Sequence, residues 1–287
     1  MAIPLDIQEE LSSLLGYPTK HAHSLSGGCI HQAYRVDTDR GPIFIKFNRL
    51  NQASNFTAEA KGLSLLRQSQ TLSVPNILHQ GATKTHAFLA LEHIESGQSA
   101  PDFWETLGTG LARLHQQTAA QFGLDHDNFI GALPQLNDWQ SSWAEFYASM
   151  RILPMLRMGR QRGYINQDLS TAVEKMLIKR PDFFPPEPPA LLHGDLWGGN
   201  LLTGPRGQAW LIDPAVYYGH REMELAFMTM FDRQSPEFYA AYEATYPLVS
   251  GYAERFAYQQ LYPLLVHVNL FGTSYLSGVQ AILRRFG

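Results

Sequence analysis

The apolar residues of this chain change from a strand-like to a helix-like period near residue 100, and this change restricts the folds available to it. Before that point, short alternating runs predict strands at His21–Ser24, Ala33–Val36, Pro42–Phe47, Val74–Leu78 and Ala87–His93, with one helix at Ala53–Arg67. After it, helical spacing is clearest at Phe103–Thr118, Trp139–Arg160 and Ala253–Phe271. We therefore predict an α+β fold. A small N-terminal antiparallel sheet lobe with one helix would cover residues 1–92, and a larger, mainly helical lobe would cover residues 93–287.

Charge and hydropathy exclude two classes of partner. The formal net charge of −4 lacks the excess of basic residues that a nucleic-acid surface needs. No uncharged apolar run approaches the ~20 residues of a membrane span, and Met1–Gly16 shows no signal-peptide pattern. The single cysteine, Cys29, excludes an intramolecular disulfide. We expect a cytoplasmic protein without nucleic-acid or membrane partners.

Three polar residues, Asp195, Asn200 and Asp213, stand out because apolar runs bracket them at Ala190–Leu192 and Ala209–Ile212. Strands or tight turns at these runs would present the three side chains at one edge. Phosphoryl transfer needs a carboxylate that takes the hydroxyl proton, and oxygen ligands that hold Mg²⁺ against the phosphates. Asp195 fits the first requirement as the catalytic base. Asn200 and Asp213 fit the second as metal ligands.

The spacing from Asp195 to Asn200 equals that of the protein-kinase catalytic loop, H-R-D-x-x-x-x-N. Gly194 replaces the arginine of that motif, and we expect His193 to hold the loop rather than to catalyse. For His193-Gly194-Asp195 alone, a glycine-rich turn with a structural aspartate is the alternative. The matching offsets of Asn200 and Asp213 favour the catalytic interpretation.

Lys46 and Glu59 form the candidate pair for positioning a triphosphate. Lys46 lies in the apolar run Phe44–Phe47, and Glu59 follows on the predicted helix. A kinase requires such a pair, because the carboxylate holds the lysine toward the phosphates. The alternative is a strand lysine that simply faces solvent.

Two backbone segments complete the candidate nucleotide site. Gly27 and Gly28 can bring backbone close to phosphate, although their loop lacks G-x-G-x-x-G and an ordinary hairpin is the alternative. Glu92, His93 and Ile94, at the passage between the two regions, would offer backbone groups to adenine. No G-x-x-x-x-G-K-[ST] occurs in the sequence, which excludes a P-loop NTPase.

Over nearly its whole length the chain resembles the fructosamine kinase family, also called ketosamine-3-kinases, within the superfamily of aminoglycoside and choline kinases. The segments that carry the resemblance are His193–Asn200, Ile212–Ala215, Tyr217–Glu222, Asp125–Gln135 and Trp139–Pro154. HGD…N and IDP are shared with the superfamily, whereas Leu196–Gly199 and Tyr218–Glu222 point to this branch.

The resemblance implies a two-lobed protein-kinase-like fold and an enzyme that uses ATP and Mg²⁺. Such a kinase phosphorylates the sugar 3-hydroxyl of a ketosamine, the adduct of a ribose- or glucose-derived sugar with an amine. The phosphorylated product releases the amine, which amounts to deglycation. A small-molecule ketosamine or a glycated protein is the expected partner.

By the same resemblance, Trp197 lies beside the sugar, where an indole face can pack on C–H groups. Packing of the loop is the alternative for this residue. Tyr218, His220 and Glu224 are further candidates for contact with the substrate. Glu224 stands where the family is expected to have an aspartate, which leaves its role open.

Cys29 is a candidate redox residue. A thiol on a loop that meets phosphate would lie near positive charge and backbone N–H groups, which favour the thiolate. Members of the family that this chain resembles often have a cysteine in this loop. The protein is then a monomer or a redox-linked dimer, and the alternative for Cys29 is a small apolar filler.

Three other functions compete with the ketosamine kinase. An aminoglycoside kinase should carry clustered carboxylates late in the helical lobe, but residues 258–287 contain no Asp or Glu. A choline kinase would need an aromatic cage, for which Tyr246, Tyr252, Tyr258 and Tyr262 are available. A pseudokinase binding module would be expected to have lost part of the catalytic set, which is complete here.

Overall fold

Alternating apolar residues in the first part of the chain form a single antiparallel sheet in the computed structural model, which describes residues 3–25, 31–179, 183–231 and 234–287. The strands are β1 (Thr19–Ser24), β2 (Gln32–Thr38), β3 (Ile43–Arg49), β4 (Ile77–Ala82) and β5 (His86–Glu92). Their order in the sheet is β1-β2-β3-β5-β4, and every pairing is antiparallel.

The two-residue period of β3 assigns its side chains to the two faces of the sheet. Ile45 and Phe47 join a buried cluster to which helix α1 (Leu5–Leu15) contributes Ile7 and Leu11. Lys46 points to the opposite face, because neighbouring strand residues alternate. Helix α2 (Ala53–Gln68) follows a short 3₁₀ helix at Leu50–Gln52 and supplies the partner of Lys46 on that face.

One predicted strand lies later in the chain than expected. The sequence predicts it at Val74–Leu78, whereas β4 begins at Ile77. Pro75 has no backbone N–H to donate to a ladder, and the carbonyls of Val74 and Pro75 accept from the Arg67 guanidinium. Val74 is buried without belonging to a strand, which explains why its apolar character misled the strand prediction.

The chain divides into two compact units. The first comprises residues 1–103 together with 199–214, and the second comprises residues 104–198 together with 215–287. The hairpin of β9 (Leu201–Thr203) and β10 (Ala209–Leu211) belongs to the first unit. Leu211 N donates to Ser73 O over 2.9 Å, and Gly97 N donates to Thr203 O over 3.0 Å. These bonds explain why a segment from the later half of the sequence joins the sheet unit, which the predicted boundary at residue 92 does not include.

Helices dominate the second unit. They are α3 (Phe103–His115), α4 (Trp143–Phe146), α5 (Leu153–Gln161), α6 (Gln167–Lys179), α7 (Glu222–Phe231), α8 (Pro236–Thr245), α9 (Tyr252–Gln259), α10 (Leu261–Phe271) and α11 (Leu276–Phe286). A π-helical segment, Tyr147–Ile152, joins α4 to α5. Short 3₁₀ helices lie at Gly198–Asn200 and Thr273–Tyr275.

Two predicted helices differ in detail from the structure. The predicted helix at Trp139–Arg160 begins only at Trp143, after Ser142 accepts a capping bond from Glu145 N. The predicted helix at Ala253–Phe271 is interrupted at Gln260, which separates α9 from α10.

Two short strand pairs lie in the second unit, and one of them includes the strand that precedes the candidate catalytic loop. Strand β8 (Ala190–Leu192) pairs with β11 (Tyr217–Gly219), and β6 (Asn128–Ile130) pairs with β7 (Leu133–Gln135). No helix within the described ranges has both the length and the apolar composition to cross a membrane.

Candidate active site

Lys46 is a buried cation held by two carboxylates of the first unit. Its ammonium lies 3.0 Å from Glu59 Oε1 and is also bonded to Asp213 Oδ1. Burial opposes the charge, but the two carboxylates outweigh it and raise the pKa of Lys46 above its ordinary value. The structure thus brings three residues of the predicted set together and keeps the lysine charged.

Asp213 and Asn200 fit a magnesium ion. Mg²⁺ is usually held by one or two carboxylates together with waters and substrate phosphates. The Asp213 side chain is 41% exposed although one oxygen is bonded to Lys46. Ile212 N donates to Asn200 O over 3.1 Å, which ties the two loops together. Asp213 has a φ of 55°, a left-handed conformation in which aspartate is enriched. One carboxylate and one amide, on loops joined by this backbone bond, are oxygen ligands of the kind that the ion accepts.

The predicted adenine-binding segment lies at the end of β5. Glu92 N donates to Asn76 O over 2.8 Å, and its carboxylate accepts from the Asn76 amide over 2.5 Å. His93 and Ile94 are half-buried, and burial lowers the pKa of His93. The Glu92 carboxylate is thus bonded to Asn76 within the first unit. The contact to adenine is therefore predicted for the backbone of this segment.

Gly27, Gly28 and Cys29 lie outside the described residues. Their phosphate-binding and redox roles therefore stay predictions. The described chain ends on one side at Leu25, whose N–H donates to Ala33 O over 2.9 Å, next to the pairing of β1 with β2.

The loop that carries Asp195 follows β8 in the second unit. His193 is buried, and its carbonyl accepts from Ala215 N over 2.9 Å. The imidazole Nδ1 of His193 accepts from Asp195 N over 3.3 Å, so His193 supports the turn from within. Asp195 itself is half-buried. Asp195 belongs to the second unit, whereas Asn200 and Asp213 belong to the first.

Gly194 cannot be replaced by arginine in this loop. Its φ is 84°, in the left-handed region that favours glycine. A Cβ at this position would overlap the carbonyl oxygen of Ala215, on the neighbouring segment. The close approach of the two backbones explains why the chain reads HGD where protein kinases read HRD.

Glu224 holds the same loop from helix α7. Its buried carboxylate accepts from His193 N over 2.6 Å and from Gly194 N over 2.8 Å. His115 Nε2 lies 3.4 Å from Glu224 Oε2, and Tyr242 lies 2.7 Å from the other nitrogen of His115. Burial opposes ionisation, but these bonds keep the pKa of Glu224 below its ordinary value. Glu224 therefore acts on the loop backbone.

The predicted substrate residues divide into accessible and buried ones. Trp197 is 41% exposed, and the half-buried Tyr218 has its ring centroid 6.3 Å from that of Trp139. His220 is fully buried between Trp143 and Phe184. Only Trp197 and Tyr218 among these candidates present ring surface to a ligand, while His220 and Glu224 are enclosed by protein.

His115 is a site residue that sequence reasoning did not find. It continues the apolar stripe of α3, four residues after Leu111 and eight after Leu107, both of which are buried. A histidine in line with such a stripe is expected to be buried and to need partners. That spacing is the signal that could have identified it.

Comparisons with known proteins point to one family over nearly the whole chain. A sequence model of the fructosamine kinase family matches residues 5–286. A probable ketoamine kinase from Synechocystis is 38% identical over 97% of this chain and 95% of its own length. One from Lactiplantibacillus plantarum is 36% identical, covering 91% and 92%.

Solved structures agree in fold. A structure from Thermobifida fusca, provisionally named fructosamine-3-kinase, has a TM-score of 0.86 at 36% identity and covers 97% of both chains. The aminoglycoside phosphotransferase APH(4)-Ia has a TM-score of 0.62 at 17% identity, covering 97% of this chain and 98% of its own, and shares the protein-kinase-like fold. The chain belongs to the fructosamine kinase family, and it is a kinase of the two-lobed protein-kinase-like fold.

Proposed function

We propose that this enzyme is an ATP- and Mg²⁺-dependent ketosamine 3-kinase that acts on ribulosamine or fructosamine adducts of amines or proteins and so leads to deglycation. The observation that carries the proposal is the buried Lys46, kept charged by Glu59 and Asp213. A lysine between a helix carboxylate and the candidate metal ligand has the arrangement that binds a triphosphate. We expect the enzyme to work in the cytoplasm.

In this proposal the chain's own residues position the reactants and move one proton. Lys46 binds phosphate oxygens of ATP, and Glu59 holds the ammonium in place. Asn200 and Asp213 would hold Mg²⁺, which neutralises phosphate charge when bound. Asp195 accepts the proton of the sugar 3-hydroxyl. At the same time the hydroxyl oxygen bonds to the γ-phosphorus, and the bond between the γ-phosphorus and the ADP oxygen breaks. Trp197 and Tyr218 supply aromatic surface for the sugar.

Choline is a poor fit because three of the four tyrosines that could form a cage are already engaged. Tyr258 and Tyr262 are buried in the core of the second unit. The Arg221 guanidinium lies 3.6 Å from the centroid of the Tyr246 ring and covers one face of it. A quaternary ammonium needs several open ring faces, which leaves an aminoglycoside-type substrate as the second candidate within the superfamily.

An acceptor panel tests the proposal. ADP release would be measured with Mg²⁺ and ribulose-lysine, fructose-lysine, kanamycin, choline or no acceptor. Turnover on a ketosamine, reduced about 10²–10⁴-fold by Asp195→Asn because the general base is lost, is the expected result. Turnover on kanamycin or choline alone would reject the substrate class. Binding of ATP without turnover on any acceptor would favour a pseudokinase.

A further inference from the structure

Three buried amides meet beside the catalytic loop of the second unit. They are Asn128, at the start of β6, Gln135, at the end of β7, and Asn137, just beyond it, and each is at most 3% exposed. A buried amide without partners is destabilising, so the hydrogen bonds of these three amides show which neighbours they hold in place.

Two of the amides bond to the segment that supports the Asp195 loop. Asn128 Nδ2 donates to Val216 O over 2.7 Å, and Gln135 Nε2 donates to Ala215 O over 3.0 Å. Ala215 N in turn donates to His193 O, and Ala215 O is the atom against which Gly194 packs. Only one residue therefore separates the β6–β7 hairpin from the backbone of His193 and Gly194.

The remaining bonds fix the orientation of these amides. Asn128 Oδ1 accepts from Gln135 Nε2 over 2.8 Å and from Asn137 Nδ2 over 3.0 Å. Tyr262 donates to Gln135 Oε1 over 2.8 Å. The side-chain amides of Asn128 and Gln135 cannot rotate without breaking a hydrogen bond to a neighbouring side chain.

A buried arginine anchors the far end of the network. Arg151 donates to Asn137 Oδ1 over 2.8 Å and to Leu136 O over 2.5 Å. Its guanidinium lies 4.0 Å from the centroid of the Tyr217 ring and 4.4 Å from that of Phe146. No carboxylate among the described residues lies within ion-pair distance of it. The π-helical segment Tyr147–Ile152, which contains Arg151, points this cation into the network rather than toward a counter-ion.

We propose that Gln135 and Asn128 are positioning residues that set the conformation of the Asp195 loop through the carbonyls of Ala215 and Val216. The inference rests on the proposed kinase function with Asp195 as base. A catalytic base must be placed to within a fraction of an ångström. The Asp195 loop is held by backbone contacts with Ala215, and without the amide network the segment of Ala215 and Val216 could shift. The amide network fixes this segment, while Glu224 holds the loop from α7.

The test compares Gln135→Met with Asn269→Leu. Asn269 is a matched control because its buried amide also donates two bonds to carbonyls, those of Met155 and Leu265, within the same unit. We expect Gln135→Met to lower kcat about 10–100-fold with the KM for ATP near its wild-type value, because the loop is misplaced while nucleotide binding is kept. Both substitutions should lower the thermal midpoint by similar amounts, because each removes a buried amide. Asn269→Leu should nevertheless leave kcat near the wild-type value.

Tyr262→Phe is the second variant, because it removes one hydroxyl and is expected to fold. It should lower kcat about 2–5-fold because it releases the Gln135 side chain, which is a change of about 0.4–1 kcal/mol in the activation free energy. The inference is overturned if both variants keep wild-type kcat, or if Gln135→Met and Asn269→Leu lower kcat equally. It is also overturned if Gln135→Met does not fold and Tyr262→Phe keeps wild-type kcat. Wild-type enzyme without turnover on any acceptor would instead reject the proposed function.

Discussion

At the residue scale, the charge of Lys46 is the property on which the proposed nucleotide site depends. The lysine is predictable from the sequence as a cation in an apolar strand, and Glu59 as its partner from the helix that follows. Its contact with Asp213 is not predictable from spacing, because 167 residues separate the two in the chain. The roles of Gln135 and Arg151 are missed for the same reason, since each depends on contacts between distant segments.

Replacing Lys46 tests its role in binding ATP. Lys46→Met should lower kcat/KM for ATP about 10²–10³-fold, as expected for loss of a preorganised group that stabilises charge. It should also lower the thermal midpoint, because Glu59 is left buried without its cation. Steady-state kinetics and thermal unfolding measure the two effects.

Two further variants separate charge from folding. Lys20→Met removes an exposed lysine whose partner, Asp39, is also exposed, and should change neither quantity. Lys46→Arg keeps a cation between the carboxylates but alters its contact with phosphate, so stability should recover more than activity. Wild-type kinetics in Lys46→Met would contradict the assignment.

At the element scale, the strand and helix periods of the sequence predict the strands of the first unit and several helices, but they do not reveal the partners of these elements. Strand β3 and helix α2 are predictable because their burial follows local periods. The hairpin β9–β10 has the sequence of a strand pair, yet its place in the first unit depends on bonds to Ser73 and Gly97, which no local pattern reveals. The interruption of the predicted helix at Gln260 does have a local signal, because Pro263 in the first turn of α10 cannot donate to the carbonyl of Gln259.

The close packing of the Asp195 loop on the segment after Asp213 predicts how glycine substitutions will behave. Gly194 and Gly163 both have left-handed φ values, 84° and 72°, but a Cβ at Gly163 meets nothing within 4 Å. Gly163→Ala should therefore cost only the conformational strain, about 1–2 kcal/mol. Gly194→Ala should cost more and abolish turnover, because Ala215 must also move.

Denaturant unfolding of the two glycine variants measures this difference directly. The comparison holds the backbone conformation constant and varies only the space around the new methyl group. Equal losses of unfolding free energy, with turnover retained in Gly194→Ala, would show that the two segments are not closely packed.

At the scale of the whole molecule, buried histidines make stability depend on pH. Burial lowers the pKa of His220 from 6.5 to about 4, and His31 in the first unit shifts in the same way. The unfolded chain takes up these protons near pH 6.5. Lowering the pH below this value therefore stabilises the unfolded state relative to the folded state. The stability due to neutral His220 is complete above pH 6.5 and is lost as the pH falls toward about 4, by about 3 kcal/mol at most.

Denaturant unfolding at pH 7 and pH 4.5 checks this dependence. The wild-type free energy of unfolding should fall between the two pH values, and His220→Phe should show a smaller fall because it has no proton to take up. His21→Phe, at an exposed position, should keep the wild-type fall. Identical falls in all three proteins would mean that His220 is protonated in the folded state.

The central claim is that this kinase transfers phosphate from ATP to the sugar of a ketosamine. The most direct test is to incubate the enzyme with ATP, Mg²⁺ and ribulose-lysine and to follow the products by ³¹P NMR and mass spectrometry. We predict a phosphate on the sugar 3-hydroxyl, followed by release of free lysine, with both products formed about 10²–10⁴-fold more slowly by Asp195→Asn. Phosphate on another hydroxyl, or an unmodified ketosamine in the presence of enzyme that phosphorylates kanamycin, would contradict the account.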